Sequence, residues 1–159
     1  GGVGIFCLFR KVAGASEPST YSVTFTVTER SCMVAWAVRN DNGIHASPAA
    51  QAGVLAVVTL PAVTTTVADC LRISIAASNK SASPTTTATD HTEMADVGTT
   101  SGGSLSIQYK ALPSSGTDGA QDVIQTTTDP SLGITFAIAP AAAAAAIVAG
   151  KKYGWRGYH

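Results

Sequence analysis

Asp90, His91 and Glu93 form the densest knot of chemistry-bearing side chains in the body of this sequence. An imidazole beside carboxylates can share a proton or contribute to a metal's ligand set. The knot opens "HTEMADV", which has the composition of a short strand. Residues two apart share one face of a strand, so His91 goes with Glu93 and Asp90 with Thr92. No second histidine completes a metal site: His45 follows the "NDNG" turn and His159 is the last residue. His91 and Glu93 therefore read first as a solvated junction between loop and strand.

Other chemistries find less support. "RNDNG" offers Asn40, Asp41 and Asn42 but not the ligand ladder of a calcium loop. No Gly-x-Ser-x-Gly elbow is present, and "TSGGSLS" reads better as a hairpin turn. The acids Asp41, Asp69, Asp96, Asp118, Asp122 and Asp129 fall mainly in turns and single out no catalytic pair. "GGVG" lacks the flanking strand and helix of a phosphate loop. The expectation is a protein with no catalytic residues, no cofactor and no metal.

One stretch mixes cations with aromatics. After "AAAAAAIVAG" the chain ends "KKYGWRGYH", with Lys151, Lys152, Tyr153, Trp155, Arg156 and Tyr158. Residues 1–150 hold seven Lys/Arg against ten Asp/Glu, a balance of −3, and the last nine residues hold +3. Such a tail could stack on bases or lie on a membrane, but nine residues supply little area or charge for either. A groove on another protein suits it better, because Trp, Tyr and Arg are the usual interface anchors. Those six residues are the candidate partner-binding set. The plainer alternative is a solvated end. Nucleic-acid and membrane partners are not expected.

The elements that would carry these groups are strands. Charged residues make up 13% of the chain, about half the usual share, and apolar residues 45%. Small neutral polar residues fill the difference, which favours strands and turns over surface helices. Zero net charge also suits surfaces that meet copies of themselves. Alternation is clear in "YSVTFTVT", where Tyr21, Val23, Phe25 and Val27 share a face. In "SCMVAWAVR", Cys32, Val34, Trp36 and Val38 form a heavy face, with both faces expected to be covered. "CLRISIAAS" sets Leu71, Ile73 and Ile75 against Arg72 and Ser74. "SLSIQYKAL" sets Leu105, Ile107 and Tyr109 against Ser106, Gln108 and Lys110, and "GITFAIAP" turns Ile134, Phe136 and Ile138 inward. Weaker strands are predicted at 54–60, 91–97 and 122–128, and a short helical turn at 47–53. "RNDNG", "TTSGG", "PSSGTDG" and "TDPSLG" read as turns.

The fold class is therefore all-β: an antiparallel β-sandwich, Ig-like or jelly-roll, over 1–140, followed by an Ala-rich segment and basic aromatic tail at 141–159. Cys7, Cys32 and Cys70 each lie in an apolar run and are expected as buried free thiols. No signal-peptide pattern and no membrane-spanning helix are read. "GIFCLFRKV" is apolar on both faces, as in a central strand. Its position close to Gly1 suggests a processed or partial chain, or a first strand paired with another subunit.

"LFRKVAGASEPSTYSVTFT", "MVAWAVRNDNG", "PAVTTTVADCLRISIAA" and "ITFAIAP" occur in an order that resembles small β-sandwich proteins of tailed bacteriophages and of bacterial surface or prophage regions. The resemblance runs from about Gly4 to Pro140. The chain departs from the pattern in lacking earlier strands and in carrying its C-terminal extension. The resemblance implies a non-enzymatic virion part, such as a capsid decoration, head-fibre or tail-associated subunit. Its partners would be other virion subunits, including copies of itself, and its place the extracellular particle. The alternative is a cell-surface or carbohydrate-binding adhesin-type module with a host-surface glycan as ligand. Against it, Tyr21, Phe25 and Trp36 are all expected to face inward, leaving no aromatic platform.

Overall fold

A computed structural model describes residues 7–13, 16–24, 33–39, 41–47, 50–79, 87–98 and 102–141. The described residues form eight strands: β1 (Asp41–Ala46), β2 (Gln51–Leu60), β3 (Val63–Thr65), β4 (Cys70–Ser78), β5 (Thr92–Gly98), β6 (Ser104–Leu112), β7 (Gly116–Asp118) and β8 (Gln121–Pro140). Every pairing is antiparallel, and no helix occurs among the described residues. The fold is an all-β antiparallel sandwich with layers of unequal size.

The larger layer is one sheet in the order β1-β8-β4-β6-β5, with β2 also paired to β8. Its register sorts the residues into two faces. Tyr109, Ile73 and Phe136 lie side by side across β6, β4 and β8, and Ile107, Ile75 and Ile134 form the next row. These rows are the main hydrophobic core. Residues 33–39 belong to no strand, yet their burial alternates, and Val34, Trp36 and Val38 cover this apolar face. Met33, Ala35 and Ala37 are exposed, so only the heavy face of that segment is covered.

The opposite face is small and polar. Its rows are Ser104, Ser78 and Ser131; Ser106, Ala76 and Gly133; Gln108, Ser74 and Thr135; and Lys110, Arg72 and Ala137. Most of these residues are buried, because the chain folds a second layer over them. β8 is twenty residues long. Its C-terminal half lies in the sheet, while its N-terminal half pairs with β2 alone. Between the halves the β2–β8 register jumps from Leu55↔Asp129 to Val57↔Ile124. That irregularity bends the ribbon back across the polar face, where Val58, Leu60 and Val123 pack on Ala76 and Ala88. The two-stranded β3–β7 sheet extends the cover, with Val63 packed beside Cys70, Leu112, Ala137 and Ala139.

Side-chain hydrogen bonds hold the bend. Gln125 Nε2 donates to Ser131 Oγ at 2.6 Å and to the Leu55 carbonyl, and Ser131 Oγ donates to the Asp129 carbonyl at 2.7 Å. Pro130, which cannot donate to a ladder, sits beside this irregularity, where prolines in sheets are tolerated. The "TDPSLG" turn is thus a correction: those residues lie inside β8. Likewise "RNDNG" runs into β1, with Gly43 at φ 93°, and the helical turn at 47–53 is displaced by the start of β2 at Gln51.

The N-terminal readings change more. Residues 7–13 and 21–24 are exposed and belong to no strand, so "GIFCLFRKV" is not a central strand over its described part. Cys7 is exposed where burial was expected, whereas Cys70 is a buried free thiol; Cys32 lies outside the described residues. A central strand needs ladder partners on both sides, and none reaches residues 7–13 among the described residues.

The close approach of the two layers depends on Gly133. A Cβ built there would lie 2.0 Å from the Thr59 carbonyl oxygen, which is backbone and cannot swing aside. Gly133→Ala is expected to cost about 2–4 kcal/mol, at or beyond the upper end of ordinary overpacking, read as a lowered urea midpoint. Gly119→Ala, with nothing within 4 Å, serves as the neutral control.

Candidate functional site

The six tail residues Lys151, Lys152, Tyr153, Trp155, Arg156 and Tyr158 lie outside the described residues. Within the described body, the charged groups that converge come from β4, β6 and β7. Arg72 projects from β4 onto the polar face and is fully buried. Its Nη1 donates to Asp118 Oδ2 and to the Gly119 carbonyl at 2.7 Å. Its Nη2 donates to the Pro61 carbonyl at 3.1 Å and the Leu60 carbonyl at 3.4 Å, and Nε to Ser74 Oγ at 3.0 Å. A guanidinium has five N–H donors, and here five acceptors meet it. Lys110 from β6 adds a second cation to Asp118 at 2.7 Å.

His91 approaches the same cluster from the turn before β5. That turn bonds His91 N to the Ala88 carbonyl at 3.1 Å and holds Asp90 at φ 59°. His91 Nδ1 faces the Thr89 carbonyl at 2.8 Å, and its buried Nε2 meets no hydrogen-bond partner. Gln108 is fully buried too: its Oε1 accepts from Ala88 N at 2.7 Å, while its Nε2 is unpartnered. Glu93 is exposed, so the His91–Glu93 set read in the sequence gives way to a partly buried His91 that feels the charges of Arg72, Lys110 and Asp118. Among the described residues, no three His, Cys, Asp or Glu side chains gather as metal ligands.

The electrostatics follow from this packing. Burial pushes the His91 imidazole below its ordinary 6.5, and the Arg72 and Lys110 charges push the same way against the Thr89 carbonyl and Asp118. Burial alone would raise Asp118. The hydrogen bonds from Lys110 and Arg72 outweigh it and hold the carboxyl below 3.8. Beside this pair the β6–β7 turn opens a shallow cleft of ≈ 290 Å³, walled by Lys110, Asp118 and residues 111–117. Chemically the cluster is a closed ion pair. Arg72 has no donor left for a ligand, and Asp118 is held by two cations.

Sequence reasoning missed this cluster. It placed Arg72, Gln108 and Lys110 on an outer face, and nothing local signals the ribbon that covers them. A lone arginine between Leu71 and Ile73 was the one available hint.

The described surface is unusual in another way. Phe9 is 80% exposed, Val12 71%, Val54 66% and Tyr21 61%, with Leu8, Val23 and Met33 also exposed. Tyr21 is held in place: its hydroxyl donates to Glu17, and Lys11 reaches Glu17 at 2.7 Å and lies 5.2 Å from the Tyr21 ring centre. The inward facing expected for Tyr21 is therefore corrected, whereas Trp36 does face the core. No helix of the described residues is long and apolar enough to cross a membrane. No family model, curated protein or solved structure matches this chain.

Two tests follow. Arg72→Leu is expected to cost about 3–5 kcal/mol, because Asp118 and four other acceptors lose their donor together. The second test is pH dependence. Where a folded-state value is depressed, the unfolded chain takes the proton first as pH falls, and stability is lost. His91 thus contributes full stability above about 6.5 and loses it as pH drops through its lowered value; Asp118 does the same from 3.8 downward. Thermal midpoints from pH 7.5 to 3 should show His91→Gln flattening the first decline. Asp118→Asn should flatten the second while lowering the midpoint at pH 7.

Proposed function

We propose that this chain is a non-enzymatic structural subunit that works by contact with other subunits, in the setting of a bacteriophage virion. The observation that carries the reading is the exposed apolar surface. Eleven large apolar side chains are exposed among the described residues, on a chain whose formal net charge is zero. Single exposed apolar residues are ordinary, but a collection of this size on a chain of zero net charge favours association. Arg72 has every donor filled and Asp118 is held by two cations, which fits a scaffold better than a reaction centre. The virion setting rests on the resemblance of the strand motifs. The tail residues from Lys151 to Tyr158 are the proposed tie to a neighbouring subunit.

The test is native mass by light scattering across concentration, for the full chain and for a chain ended at Pro140. Defined oligomers of the full chain support the reading, and their loss on truncation assigns the tie to the tail. A full chain that stays monomeric at every concentration overturns it.

A specific observation favours one second reading, a glycan-binding module. Tyr21 and Phe9 are exposed aromatics, and Tyr21 stands beside the charged pair Lys11 and Glu17. Under this reading a glycan array gives hits that Tyr21→Ala abolishes without changing the thermal midpoint. A blank array, or hits that survive the substitution, removes it.

A further inference from the structure

Among the described residues the main sheet ends on β5 at one side and on β1 and β2 at the other, and the sequence treats those edges unequally. β5 closes one side and carries Glu93 and Asp96, both exposed. Charged side chains on an edge strand discourage pairing with another chain. On the other side β1 and β2 lie end to end along β8. β1 is interrupted by two register irregularities and contains Gly43 at positive φ, a second common way of blunting an edge. β3 and β7 are three residues each, too short to template much.

β2 breaks register only after Leu55, and over Gln51–Leu55 it has none of these protections. Its sequence is "QAGVLAVVTL", without a charge or a proline. Ala52 and Val54 share one face and are both exposed. Leu132 and Pro130, their neighbours across the β2–β8 ladder, continue the apolar strip. Among the described residues no strand lies on the outer side of β2.

Building on the subunit reading above, we propose that the outer edge of β2, centred on Val54, pairs antiparallel with the β2 edge of a second copy of this chain. The occupant follows from charge and closure. Two β2 strands meet with no charge on either side, so nothing opposes the approach, and each offers the other the same small apolar face. β5, the edge on the opposite side of the main sheet, has a register irregularity between Glu93 and Ala95, and its two acids disfavour head-to-tail growth. Pairing β2 with β2 is isologous and closes at two copies. The product is one sheet running through both copies and ending at an acidic β5 on each side. Val54 is exposed in the single chain, so a polar residue there is compatible with its fold.

The experiment is sedimentation of the full chain and of Val54→Lys across concentration, with thermal unfolding of both. The substitution places like charges near the symmetry axis and removes an apolar contact. It should raise the dimer dissociation constant roughly tenfold or more, where tenfold corresponds to about 1.4 kcal/mol, with the midpoint of the dissociated chain unchanged. Amides of residues 51–55 should exchange more slowly as wild-type concentration rises and lose that dependence in Val54→Lys. If the wild type associates and Val54→Lys associates equally well, the β2 pairing is wrong and the assembly reading stands on another surface. If the wild type never leaves the monomer, both fall. Capture of an unrelated strand-forming peptide by β2 in place of a second copy also overturns the proposal.

Discussion

The guanidinium of Arg72 is the constraint around which the two layers are arranged. It stands on β4 in the main sheet and reaches the Leu60 and Pro61 carbonyls at the β2–β3 junction, and the Asp118 carboxylate and Gly119 carbonyl at the β7–β8 junction. Both junctions belong to the second layer. One side chain thus fixes the height and position of two separate ribbons over the same sheet face. A buried charge is costly unless it is paired and its donors are filled. Here filling them requires both ribbons at once, so the covered state is specified more sharply than apolar packing alone would manage. Val58, Leu60 and Val123 supply the area, and Arg72 selects where it goes.

This arrangement explains why the polar face can be buried. Serine, alanine, glycine and threonine on β4, β6 and β8 leave a shallow surface, and the ribbon backbone settles onto it at Gly133. Bulky residues would hold the layers apart and leave the guanidinium short of its carbonyls. The small residues and the arginine therefore depend on each other. Gln108 and His91, each with a buried nitrogen that meets no partner, mark where the fit is least complete. They lie on the β5 side of the cluster, where the cover is a turn rather than a ribbon.

Much of this was readable from period-two patterns. β4 and β6 were found with their bounds, and the inward sets Leu71, Ile73, Ile75 and Leu105, Ile107 proved correct. Alternation reports which residues share a face; it does not report whether the other face is covered. Arg72, Ser74 and Gln108 looked solvent-facing because their cover arrives from residues more than ten positions away. The bend in β8 was hidden in the same way. "TDPSLG" carries a genuine turn signal, and a ribbon that bends inside one strand uses the same residues as a ribbon that ends. The N-terminal alternation at Tyr21 and Val23 failed for the opposite reason: alternation describes a surface fit to pack in a sheet, and residues 21–24 are exposed and join none. The tail could be named in the sequence by its chemistry, but a partner surface is not a local property of nine residues.

The distribution of apolar residues joins fold to function. The chain is 45% apolar, an ordinary content for a globular domain. Yet one of the two buried faces of its sheet is filled mainly by serine, threonine, glutamine and arginine. Apolar side chains that a conventional sandwich would place between its layers are displaced from that interface. They appear instead on the outside, at Phe9, Val12, Met33, Val54 and Val57. Few charges accompany them on that surface. The edges differ in how they are guarded: acids on β5, irregularities on β1, and no guard over Gln51–Leu55 of β2. A protein selected only to remain a monomer has reason to guard β2 first, because it is the longest of the three edges.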